Sequence, residues 1–191
     1  MTPAQRTTLL NQVITSLALP AGTTRIRSSH LDRYDWLRAN LPLVNVAVHP
    51  AFQSTFSGLF KLRFMRTVDR PSYFGMMQAQ KVLAGHAFPA LLNAHFKVSG
   101  RQEISFISKL IHIIDPQRAI WDSELRAKLM IPDPVQRTAA NCSAAYAQLE
   151  NEMGAMLAHP LFGNVQMAFN ARFPGRAYTP MRILDASIWG L

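Results

Sequence analysis

The stretch of the chain with most chemical promise runs Ser105-Phe106-Ile107-Ser108-Lys109-Leu110-Ile111-His112-Ile113-Ile114-Asp115-Pro116-Gln117-Arg118-Ala119-Ile120-Trp121-Asp122-Ser123. Lys109 stands among Phe106, Ile107, Leu110 and Ile113. Burial in apolar surroundings disfavours an ammonium ion and lowers its pKa, a usual way of making a lysine nucleophilic. Asp122 comes thirteen residues later, just after a short turn containing Pro116. It could cap a helix opening with Ser123-Glu124-Leu125. A helix, a turn and a helix start let amine and carboxylate approach one another. Two plainer readings stand beside this one: Lys109 snorkelling from an amphipathic helix, and Asp122 serving only as a cap.

A second candidate is Phe60-Lys61-Leu62-Arg63-Phe64-Met65-Arg66, ending at Arg70. On a continuous helix, at ~100° per residue, Arg63, Arg66 and Arg70 fall within about 60° of one another. Phe60, Phe64 and Val68 then lie on a separate face. An arginine stripe backed by aromatic residues suits a helix packed on a core and facing phosphates. The plainer alternative is a solvated charged face. Metal and cofactor motifs are lacking. The histidines His30, His49, His86, His95, His112 and His159 show no ligand spacing with each other or with Cys142, which reads as a small core residue. No metalloprotease, Walker, dinucleotide-binding or nucleophile-elbow pattern occurs. Neither a metal nor a cofactor is therefore expected.

The elements that must position these residues read as helices. Thr2-Pro3 pairs an N-cap with Pro at the first helical position, and Leu9, Leu10, Val13, Ile14 and Leu17 follow at helical spacing. Pro20, Gly22 and Thr23 break the chain. Further helices are expected from Asp32 to Leu41, from Pro50 to about Val68, from a Ser72 cap to Gly85, and from Pro89 onward. Ile104 to Ile114 is helical and stops at Asp115-Pro116, because Pro disfavours helix in the residue before it. Asp133-Pro134 opens a long Ala-rich helix to about Ala158, and Pro160 to Phe173 and Thr179-Pro180 to Trp189 complete the set. The best strand pattern, Leu43 to Val48, is short. The expectation is an all-α, compact single domain over residues 1–191, with roughly eight to ten helices.

Composition points to a polyanionic partner. Twenty Lys and Arg against eleven Asp and Glu give a net charge of +9 and a pI near 10.4. Residues 1–70 hold nine basic and three acidic groups, or +6. Such a field attracts nucleic acid. A single cysteine suits a reducing compartment, and the first ten residues do not read as a signal peptide. No apolar stretch reaches the ~20 residues of a membrane span. A cytoplasmic monomer that binds DNA and no membrane is expected.

The run from Ser105 to Leu125 resembles the lysine–aspartate segment of the helix-hairpin-helix DNA glycosylase superfamily. It is most similar to the compact bacterial proteins with an 8-oxoguanine DNA glycosylase fold. Lys109 takes the place of the lysine early in one helix, and Ile120-Trp121-Asp122 that of the apolar pair plus Asp opening the next. Phe56 to Arg63 and Arg182 to Trp189 also resemble segments of bacterial relatives. The hairpin is degenerate: Ser105, Phe106 and Ile107 stand where the superfamily has a glycine-rich turn, with Gly100 further upstream. The resemblance implies excision of a modified or damaged base, with Lys109 and Asp122 catalytic. Lys61, Arg63, Arg66, Arg70 and Arg101 are expected on DNA, and Trp121, Ser105, Ser108 and His112 in the substrate pocket. Oxidised guanine is the substrate by resemblance, and a bulky modified base in foreign DNA, hence a defence role, is a further reading. Two alternatives remain open: a non-catalytic basic DNA-binding module of the same fold, and an interaction protein whose arginines meet an acidic partner.

Overall fold

The computed structural model describes residues 1–20, 23–83 and 85–191, the side chain of Arg63 excepted, so Gly22 lies outside the described residues. Among the described residues there are ten α-helices and no strand. They are α1 (Pro3–Ala18), α2 (Ser28–Asn40), α3 (Pro50–Leu59), α4 (Arg70–Gln80), α5 (Phe88–Ser99), α6 (Ile104–Ile114), α7 (Ser123–Lys128), α8 (Ala139–Leu157), α9 (Phe162–Arg172) and α10 (Pro180–Trp189). The buried side chains form one continuous apolar cluster. No helix is long and apolar enough to cross a membrane.

Two helices occupy the centre. In α6 every residue from Phe106 to Ile113 is buried, and in α10 every residue from Met181 to Ile188. A helix that is apolar all round belongs inside a protein. The helix α6 packs on α2, α4, α5 and α8, and α10 on α1, α7, α8 and α9. Each nonetheless carries charge: Lys109 on α6, Arg182 and Asp185 on α10. A buried charge costs free energy unless something compensates for it, so these positions stand out.

Local rules set most of the boundaries. Thr2 closes a capping box with Gln5 ahead of α1. The α6 boundaries fall where the apolar face and the Asp115-Pro116 stop place them. The hydroxyl of Thr179 accepts the Arg182 amide at 3.2 Å and donates to the carbonyl of Pro116 at 2.7 Å. It thus caps α10 and ties that helix to the turn after α6.

Several expectations fail. The helix from Pro50 ends at Leu59, because Lys61 adopts a left-handed conformation (φ 53°). Two short 3-10 turns, Leu62–Phe64 and Thr67–Asp69, follow. The chain then restarts as α4 with Pro71 in its first turn, where the missing N–H is harmless. Consequently Arg63, Arg66 and Arg70 do not share one helix face. Phe60 is buried, whereas Phe64 and Val68 are exposed. Ser72 lies within the first turn of α4, which ends before Gly85. The Ala-rich helix starts at Ala139 under a Thr138 cap, since Asp133 is instead paired with Arg137 at 2.8 Å. Leu43 to Val48 forms turns, with the Val46 amide taken by the Gln78 side chain rather than by a ladder.

Candidate active site

Lys109 lies in the second turn of α6 and is 7% exposed. Its Nζ donates to the Ser105 hydroxyl one turn earlier, at 2.8 Å. Burial lowers the amine's pKa, and the charge of Lys61 lowers it further. Asp122, Asp185 and Glu103 pull the other way without overcoming the desolvation. Asp122 caps α7, and its Oδ1 accepts the Glu124 amide at 2.9 Å. A helix N-terminus is a favourable place for a carboxylate.

The segment between the two is pinned from three sides. The Trp121 amide donates to the Ser108 hydroxyl at 2.9 Å. Tyr146 donates its hydroxyl hydrogen to the Ala119 carbonyl at 2.8 Å. Arg118 forks onto Glu150 at 2.5 and 2.9 Å, while its own carbonyl accepts from His112 Nδ1 at 2.7 Å. That bond fixes the tautomer, so the hydroxyl of Tyr34 donates to His112 Nε2, 3.2 Å away. Full burial pushes His112 down to about 3, leaving the ring neutral. Buried Trp121 lies under the Arg126 guanidinium at 4.6 Å. Ser108, His112 and Trp121, expected in the substrate pocket, thus brace the segment between Lys109 and Asp122 and are not among the residues that line the cleft. Ser105 reaches it only by holding Lys109.

Lys109 and Asp122 line the same cleft, of about 120 Å³. With them on the first wall is Ile120. A second wall comes from α10: Arg182, Asp185, Ala186 and Trp189. Ile26, His30 and Leu31 close a third side, and Gly58 to Lys61 the fourth. Asp185 is 5% exposed, and its Oδ2 accepts from Arg182 Nη1 at 2.6 Å. Its carboxyl is nonetheless raised to about 6, because burial, reinforced by the charge of Asp122, outweighs Arg182 and Lys109. The Arg182 guanidinium sits 4.3 Å from the Tyr34 ring centroid, and its Nε is buried without a hydrogen-bond partner. His30 meets Trp189 edge-on at 5.7 Å. Burial, with Arg33, Arg27, Lys61 and Arg182, keeps His30 below its ordinary value.

Of the basic residues expected on DNA, Lys61 reaches the cleft, with Nζ 5.6 Å from the Trp189 ring centroid. Its left-handed backbone carries strain on the order of 1 kcal/mol. Arg66 is held by Asp69 at 2.8 and 2.9 Å and by the Ser99 carbonyl at 2.6 Å. Arg101 pairs with Glu103 at 2.9 Å. Arg70 opens α4 with its Nε buried and without a hydrogen-bond partner, and the side chain of Arg63 lies outside the described residues.

Ahead of α6 the chain turns between two helices: α5 ends on Gly100 in a left-handed conformation (φ 70°), and α6 begins at Ile104. Ser105, Phe106 and Ile107 are thus helical, as the expected helix from Ile104 to Ile114 requires. The residues that sequence reasoning missed are His30, Arg182, Asp185 and Trp189. One signal was available: a charge pair three residues apart inside an otherwise apolar helix. Among the described residues, no group of three or more His, Cys, Asp or Glu is placed to hold a metal ion. Cys142 is buried, as a core residue would be. Compared with known proteins, the chain matches no family model, no curated protein and no solved structure.

Proposed function

We propose that this protein is a DNA glycosylase that excises a modified or damaged base and leaves an abasic site. The observation that carries the reading is a desolvated amine and a helix-capping carboxylate, Lys109 and Asp122, on one cleft. A base inside a duplex must leave the stack to enter such a cleft, and the net charge of +9 favours the necessary grip on phosphates.

In one scheme the Lys109 amine attacks the sugar C1′ as the base departs, while Asp122 stabilises the positive charge developing on the sugar. In the other, Asp122 orients water and Lys109 assists. The test is incubation with duplexes carrying 8-oxoguanine, uracil, 3-methyladenine or 5-hydroxymethylcytosine, reading free base and abasic sites. Borohydride should trap a covalent adduct in the first scheme and none in the second. Release of no base from any duplex would overturn the proposal.

A further inference from the structure

Resting on the base-excision reading, we infer that Asp185 is the acid that hands a proton to the departing base, with Arg182 as its positioning residue. Breaking a C–N glycosidic bond leaves the electron pair on the base nitrogen, and in both schemes that nitrogen must gain a proton. Where Lys109 is the nucleophile, neither member of the Lys109–Asp122 pair can supply it. Lys109 must be a free amine to use its lone pair, and Asp122 must be an anion to stabilise the sugar. If the sugar lies at Lys109 and Asp122, the base projects toward the other walls of the cleft.

Four ionisable groups line those walls: Lys61, His30, Arg182 and Asp185. A guanidinium does not give up its proton in proteins. Lys61 is exposed at the rim. His30 is kept below its ordinary value by burial and by four cations, all of which oppose its imidazolium form. Asp185 remains. Its Oδ2 is taken by Arg182, and its Oδ1 has no hydrogen-bond partner among the described residues. The groups around it are Arg182 on its own helix, Asp122 from the start of α7, Lys109 from α6, and the phenol of Tyr34 on α2, with His30 and Lys61 across the cleft. Burial holds its carboxyl near 6, where it can both carry and lose a proton.

The protons balance. The C1′–N pair moves to the base nitrogen, which takes the Asp185 proton and leaves as a neutral base. Asp185 becomes a carboxylate facing the Arg182 guanidinium, and water restores its proton. If Lys109 is the nucleophile, its new secondary ammonium loses a proton to Asp122 or to water, and water then hydrolyses the Lys109–C1′ bond to free the amine and leave the abasic site. If water is the nucleophile, it adds its oxygen to C1′ and gives its proton to Asp122.

The test compares Asp185→Asn and Asp185→Glu with the unaltered protein over pH 5–9, on the four duplexes named above. Binding to a duplex with a tetrahydrofuran abasic analogue serves as the control. Asp185→Asn should reduce base release by about 100-fold or more. It should also remove the decline in rate above about pH 6 while leaving analogue binding unchanged. Asp185→Glu, which keeps the acid, should retain the decline. Wild-type release by Asp185→Asn would overturn the inference and leave base excision standing. So would equal losses in both variants with an unchanged pH profile. No release by the unaltered protein would overturn both.

Discussion

Replacing Lys109 by Met should abolish base release and make the protein more stable. The substitution keeps an unbranched apolar stem in a site only 7% exposed and removes one ammonium group. What is lost is a single hydrogen bond, Nζ to Ser105 Oγ at 2.8 Å, a contribution of about 1 kcal/mol. Ser105 is half-buried, so its hydroxyl can return to water or to its own helix backbone. What is recovered is the desolvation of an amine that has no ion pair among the described residues, an effect several times larger in an apolar site. The charges of Asp122 and Asp185 offset part of it, which leaves a net gain of about 1 kcal/mol. In a chain of this length that corresponds to a rise in Tm of roughly 2–4 °C. The pH dependence supplies the sign. The folded amine titrates below its unfolded value, so the folded protein bears the full penalty at low pH and sheds it as pH rises through the folded pKa. The advantage of Lys109→Met should therefore be largest at neutral pH and shrink toward pH 10, measured by thermal unfolding across that range. A variant less stable than the original at pH 7, or an advantage that does not change with pH, would refute the premise that this amine is desolvated.

Asp122→Ala should cost about 1 kcal/mol as a lost helix cap, whereas Asp122→Asn should keep the cap; both should abolish base release, read by thermal unfolding beside an abasic-site assay. Lys61→Ala should lower the slope of log affinity against log salt by about one in fluorescence anisotropy with duplex DNA, and Arg66→Ala by less, since Asp69 and Ser99 already hold Arg66. His112 titrates at about 3 when folded and near 6.5 when unfolded, so stability should fall as pH drops below 6.5, steepening by up to about 1.4 kcal/mol per pH unit. His112→Gln should flatten that acid limb in denaturant titrations.

The parts of the fold legible in the sequence are those set by local chemistry. Thr2-Pro3 and Thr179-Pro180 each announce a helix start, and Ile104 to Ile114 is bracketed by its own apolar residues and by Pro116. Lys109 and Asp122 were legible because their environments are written within twenty residues of chain. The arginine stripe was misread because a wheel assumes an unbroken helix, and one left-handed residue, Lys61, breaks it. No propensity rule singles out a lysine for that conformation. Asp133-Pro134 looked like a helix start because Asp133 is drawn instead to Arg137 four residues on and to Arg126 in α7, and cap rules do not weigh such side-chain competitors. Asp185 and Arg182 reach the cleft only through the docking of α10, more than fifty residues beyond Asp122.

The double use of the Thr179 hydroxyl has a mechanical consequence. One oxygen receives the first turn of α10 and grips the loop that carries the chain from Lys109 to Asp122. The chain segments that supply two walls of the cleft are thereby joined through a residue outside it. Widening the gap between those walls costs the Thr179–Pro116 bond, about 1 kcal/mol, so a guest that fits the resting width is favoured over one that must spread the walls.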